Sequence, residues 1–160
     1  MRAIILVITV FLMAVVSGCQ ETNPVVPDAY TINGTIAFVD SNFSDQGTGE
    51  YRVVAWGKSA WYPQIGGPAR EQVLDIIKED NKYVLGYRYR LAEMPSGSYV
   101  VSLQYVEGAT RKTLGIYGCN LPLDSNCYKA PSKIATIVTT EGLVNIDVTS
   151  FADTSAVVNP

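Results

Sequence analysis

Tyr83-Val84-Leu85-Gly86-Tyr87-Arg88-Tyr89-Arg90-Leu91 puts Tyr83, Leu85, Tyr87, Tyr89 and Leu91 on one face and Arg88 and Arg90 on the other. A period of two is that of a half-buried β-strand, because successive side chains of an extended chain point to opposite sides. Past the turn residues Pro95, Ser96 and Gly97, the set Tyr99, Val101, Leu103 and Tyr105 repeats the pattern. Upstream, Tyr30 to Val39 sets Ile32, Ile36 and Phe38 against Thr31, Asn33 and Thr35. Glu50 to Trp56 sets Tyr51, Val53 and Ala55 against Arg52, Val54 and Trp56. Thr113 to Tyr117, Ala135 to Thr139 and Leu143 to Val148 read as weaker strands, while Pro68 to Lys78 fits a helical stripe or a strand and leans to a strand or irregular edge. Short strands separated by Gly, Pro, Asn and Asp predict an all-β fold, a single antiparallel seven-stranded β-sandwich over residues 30–153 with a tail over 154–160, because two one-sided sheets bury their apolar faces against each other.

The stretch Tyr89-Arg90-Leu91-Ala92-Glu93-Met94-Pro95-Ser96-Gly97-Ser98-Tyr99 is a more specific signal. Pro95 presets a turn, Gly97 supplies the positive φ that ends it, and Tyr99 starts a returning strand of a hairpin, facing inward. This stretch resembles the F/Y-x-[FL]-x-x-[LM]-P-x-G-x-Y signature of carboxypeptidase regulatory-like, or transthyretin-like (prealbumin-like), β-sandwich modules. Leu114 to Gly118 and Val144 to Val148 look like later strands of such modules in bacterial lipoproteins, so the resemblance covers Thr31 to Asp153. It implies a prealbumin-like sandwich and no catalytic residues; members of the family act as accessory, adhesion, spacer or transport modules.

The N-terminus carries an address. Met1-Arg2 precedes a run of fourteen residues, Ala3 to Val16, apolar but for Thr9, which is too short to span a bilayer and the right length for the core of a signal peptide. Val16-Ser17-Gly18-Cys19 follows, and it resembles the lipobox of bacterial lipoproteins. That resemblance implies a signal peptide over residues 1–18, a diacylglycerol thioether on Cys19 and an acyl chain such as palmitate on its freed amine, an anchor of at least two chains. The chain is then a membrane protein of the cell envelope. In lipoproteins of the enterobacterial type, the absence of Asp at Gln20 favours the outer membrane. Residues 19–29, with Pro24 and Pro27, read as a semi-extended tether.

Composition narrows the chemistry. Lys+Arg 12 against Asp+Glu 15 gives −3, and loss of Arg2 with the signal peptide makes it −4, so no basic surface is on offer to nucleic acid. His is 0, which removes the commonest general base and metal ligand, so neither cofactor nor metal is expected. Cys119 and Cys127 form an even pair in an exported chain, for which a disulfide is the default. Gly57-Lys58-Ser59 lacks the first glycine of a phosphate loop, and the oxygen-rich run from Asp40 has Tyr51 where a calcium loop needs Glu. Asn33-Gly34-Thr35 and Asn42-Phe43-Ser44 match glycosylation sequons that a bacterial lipoprotein seldom uses.

Trp56, Trp61 and Tyr62 surround the Gly/Pro-rich loop 57–70, with Gln64 and Arg70 as hydrogen-bond donors. Flat rings on a loop can stack on a sugar or anchor a protein partner, and they can equally cap the end of a sandwich. The functional expectation is a non-enzymatic binding or scaffolding module with an envelope protein or glycan as partner. The alternatives are a carbohydrate-binding accessory lipoprotein using Trp56 to Tyr62, and a small envelope hydrolase.

Overall fold

The computed structural model describes residues 27–44, 48–138 and 140–156. The expectations placed on residues 1–18, on Cys19 and on most of the tether lie outside the described residues, as do residues 157–160 of the tail. In chain order the elements are β1 (Ile32–Phe38), β2 (Glu50–Gly57), α1 (Lys58–Trp61), β3 (Arg70–Val73), β4 (Lys78–Glu79), β5 (Lys82–Tyr83), β6 (Gly86–Leu91), β7 (Gly97–Glu107), β8 (Thr110–Ile116), α2 (Ser125–Lys129), β9 (Ala135–Ile137) and β10 (Val148–Ser150). The all-β expectation holds, with ten strands among the described residues rather than seven and two short helices.

Two sheets divide the strands. The smaller has the order β10-β1-β6, and the larger has β3-β2-β7-β8 with β9 also on β7. β2 runs along one edge of β7, and the other edge is shared by β9 at Gly97–Tyr99 and β8 from Ser102 onward. β4 and β5 form a separate two-stranded ribbon. Ile32, Ile36, Phe38, Tyr89, Leu91 and Val148 of the smaller sheet share one buried cluster with Tyr51, Val53, Tyr99, Val101, Leu103 and Tyr105 of the larger. The period-two faces read from β1, β2 and β7 are the faces that meet there, and Tyr51 Oη crosses between the sheets to the Ala152 carbonyl at 2.6 Å.

A bulge in β8 admits one extra residue between Leu103 and Gln104 of β7, so Leu114 and Gly115 together face Leu103. Leu114 thereby reaches the shared core while Ile116 faces outward. Gly115 is pressed against β10: a Cβ there would lie 2.4 Å from the Thr149 carbonyl oxygen.

Four sequence expectations are corrected. The sandwich is not wholly antiparallel, since β1 and β10 run parallel. The strand expected at Leu143 to Val148 begins only at Val148, because Asn145 takes a φ of 59° and Asp147 Oδ1 accepts the Thr35 N–H, an acceptor position a regular strand would fill with a carbonyl. Tyr83 belongs to β5, and Leu85 is 40% exposed, because the chain leaves the ribbon there and joins β6 only at Gly86. The Tyr89 to Tyr99 stretch is a bridge between sheets rather than a hairpin, as β6 pairs with β1 while β7 pairs with β2. Its turn is locked by Tyr99 Oη donating to the Pro95 carbonyl at 2.7 Å and by the Met94 N–H donating to Tyr30 O at 2.9 Å. The ambiguous Pro68 to Lys78 segment contains strand β3.

Candidate functional site

The outward face of the larger sheet is covered over half its length. Val54 and Trp56 of β2, Val100 of β7 and Ile116 of β8 form a second buried cluster with Trp61 of α1 and with Cys119, Leu123 and Tyr128. Two devices bring the last three over the sheet. Asp124, at the start of α2, accepts the N–H groups of Asn126 and Cys127 on its carboxylate at 2.8 and 2.9 Å, which is an N-cap that starts the helix. The Cys119–Cys127 disulfide, formed as expected, ties that helix back to the end of β8, and Ser132 Oγ donates to the Gly118 carbonyl.

This cap takes apart the ligand site expected from sequence. Trp56 is 2% and Trp61 1% exposed, with the Trp61 and Tyr128 rings 5.1 Å apart and Trp61 Nε1 donating to the Tyr128 carbonyl. Neither ring offers a face to a ligand, because the loop stapled by the disulfide lays Tyr128 on Trp61 and the shared cluster buries Trp56. Tyr62 is 44% exposed, its ring meeting Tyr128 edge-on at 6.1 Å with Lys129 Nζ at 5.4 Å from the centroid. Gln64 Nε2 reaches Tyr128 Oη at 3.5 Å, and burial pushes that phenol's pKa up. Arg70 turns to the bridge between the sheets, with Nη2 at 2.9 Å from Glu93 and Nε donating to Ala92 O at 3.2 Å. Trp61, Tyr62 and Gln64 thus meet around Tyr128, with both tryptophans buried, while Arg70 faces another part of the chain.

The rest of that outward face is a closed network of charges. Arg52 binds Glu50 and Glu71, Arg111 binds Glu71 at 3.0 Å and Gln104 at 3.3 Å, and Gln104 donates to Thr113 Oγ1. The hydrogen bonds that Arg52 donates to Glu50 lead in raising the Arg52 pKa above its ordinary value. These groups satisfy one another.

The smaller sheet is different. Its outward side carries a groove of about 800 Å³ lined by Asn33 and Thr35 of β1, Arg88 and Arg90 of β6, Asn145 and Asp147 of the irregular segment before β10, and Gln72 from the neighbouring β3. Gln72 Oε1 accepts the Arg90 backbone N–H at 2.9 Å, and the Arg90 guanidinium pairs with Asp28 at 2.8 Å. Among the described residues Arg52, Arg70, Arg90 and Arg111 each hold a carboxylate, whereas Arg88 has no carboxylate partner.

No protein-family model, curated protein or solved structure matches the chain.

The chemistry of the groove therefore rests on its own atoms. Its polar side chains are the amides of Asn33, Gln72 and Asn145, the hydroxyls of Thr35 and Tyr89, the Asp147 carboxylate and the guanidiniums of Arg88 and Arg90, groups that can hydrogen-bond a polar ligand. Sequence reading marked Arg88 and Arg90 only as solvent-facing. The alternation that set Tyr89 and Leu91 inward was the available signal, and the partners around them come from three other parts of the chain.

Proposed function

We propose that the protein is a lipid-anchored module of the bacterial cell envelope, a β-sandwich of prealbumin type that binds or scaffolds without catalysing a reaction. The observation that carries this reading is the fourteen-residue run, apolar but for Thr9, closed by Val16-Ser17-Gly18-Cys19. The Cys119–Cys127 disulfide supports an oxidising compartment, and the Pro95 to Tyr99 turn supports the prealbumin type. Mass spectrometry of the mature protein tests it: the chain starts at a diacylglycerol-modified Cys19, and Cys19→Ala stays unprocessed and unacylated. A native chain that begins elsewhere without lipid overturns the anchor. A second reading, a carbohydrate-binding accessory lipoprotein, is favoured by the open polar groove of the smaller sheet rather than by the aromatic loop.

A further inference from the structure

We propose that the groove on the smaller sheet is a saccharide site selective for carboxylated sugars, with the Arg88 guanidinium receiving the carboxylate. The inference deepens the reading of this domain as a binding module and does not depend on the lipid.

Three observations converge on that ligand class. The first is a guanidinium without a carboxylate. The chain has 15 acidic residues and a net charge of −3, and every other described arginine has found a carboxylate, yet Arg88 lies in a groove of ligand size without one. A guanidinium presents a planar fork that matches a carboxylate with two parallel hydrogen bonds. Arg90 does not compete for it, being held by Asp28.

The second is the bonding capacity left over beside Arg88. Gln72 spends its Oε1 on the Arg90 N–H and keeps its amide nitrogen. Asn33 spends its Nδ2 on Thr31 Oγ1 and the Leu143 carbonyl and keeps its amide oxygen. Asp147 spends Oδ1 on the Thr35 N–H and keeps Oδ2. Donors and acceptors are thus interspersed, which suits hydroxyl groups, since each hydroxyl both donates and accepts.

The third is rigidity. Arg88 opposes Thr35 in the paired ladder of β1 and β6, so it projects from regular sheet rather than from a loop, and the Asp147 contact fixes the opposite wall. Val144 is the exposed aliphatic side chain of the lining, beside which the non-polar face of a sugar ring can lie.

Titration calorimetry on the full-length protein in detergent micelles tests the site, with trigalacturonic acid as probe and maltotriose and poly-glutamate in parallel. The uronate trimer binds, and Arg88→Gln weakens it at least tenfold with an unchanged melting temperature. Asn145→Gly, which keeps a φ of 59° accessible while deleting the amide, weakens it severalfold. No binding of the trimer, equal binding by Arg88→Gln, or maltotriose or poly-glutamate binding as tightly as the trimer overturns the proposal. The mass of the Cys19 peptide is read on the same sample, so a chain without lipid that still binds uronate removes the anchor and leaves the site standing.

Discussion

Trp61 shows how little a residue's identity says about its role until its neighbours are known. An aromatic ring in a Gly/Pro-rich loop fits a sugar platform and a core cap equally, and the side chain that decides, Tyr128, sits 67 positions away. Trp61→Ala therefore lowers stability by about 3–5 kcal/mol, as for a buried large-to-small change, while Tyr62→Ala costs under about 1 kcal/mol as a surface substitution. Chemical denaturation of the two variants checks this, and equal costs would contradict the placement of the rings. Tyr89 carries a second consequence. Its hydroxyl is buried and donates to the Ile146 carbonyl, and burial first, then the nearby Asp147 charge, raises its pKa well above the ordinary phenol value. Burial likewise leads in raising Tyr51, Tyr87, Tyr99 and Tyr128. A phenol raised in the folded state loses its proton first in the unfolded one. The stabilisation is complete below the unfolded value of about 10 and is lost as pH climbs above it. Melting temperature accordingly falls above pH ~10, and Tyr89→Phe, somewhat less stable at neutral pH, falls less steeply. An unchanged alkaline slope in that variant would assign the effect to other groups.

Among the elements, β1 and the inward faces of β2 and β7 were legible because the core between the sheets imposes a period of two on them, although the outward faces of β2 and β7 are largely buried as well. Pairing partners were not legible. The same alternation serves a hairpin and a bridge between sheets, and nothing in Tyr89 to Tyr99 says that β6 and β7 lie in different sheets. Likewise Val144, Ile146 and Val148 alternate as apolar positions of a strand should, yet Asn145 and Asp147 break the ladder through backbone geometry and side-chain capture. The helix α2 was not legible, because the Asp124 cap that starts it becomes meaningful only once the disulfide holds the segment over the sheet. Glycines report the same closeness of elements. Gly115→Ala sets a methyl 2.4 Å from the Thr149 carbonyl oxygen, a clash between backbones that cannot relax by rotating a side chain, and it costs about 1–3 kcal/mol. Gly86→Ala meets nothing within 4 Å and is neutral or stabilising by up to about 1 kcal/mol, because alanine leaves the unfolded chain less conformational freedom than glycine. Thermal melts of the pair check the contrast, and a destabilised Gly86→Ala with a neutral Gly115→Ala would invert the packing described.

At the scale of the molecule, two buried clusters lie on opposite sides of the larger sheet and differ in what holds them. The first is enclosed by two sheets, whereas the second depends on a loop closed by the Cys119–Cys127 bond. A loop of this size contributes about 2–3 kcal/mol in the chain-entropy account, so reduction weakens the cap far more directly than the core between the sheets. Both tryptophans of the chain, Trp56 and Trp61, lie in the second cluster, while Tyr51, Tyr89, Tyr99 and Tyr105 lie in the first. Tryptophan fluorescence thus reports the cap, and far-UV circular dichroism is dominated by the sheets. In the oxidised protein the two transitions in guanidinium coincide, as a single cooperative unit requires. After reduction the tryptophan transition moves to lower denaturant and separates from the sheet transition, the cap having become a unit that opens on its own. Transitions that stay superimposed after reduction would mean that the sheet, and not the disulfide, holds Trp56 and Trp61 in place.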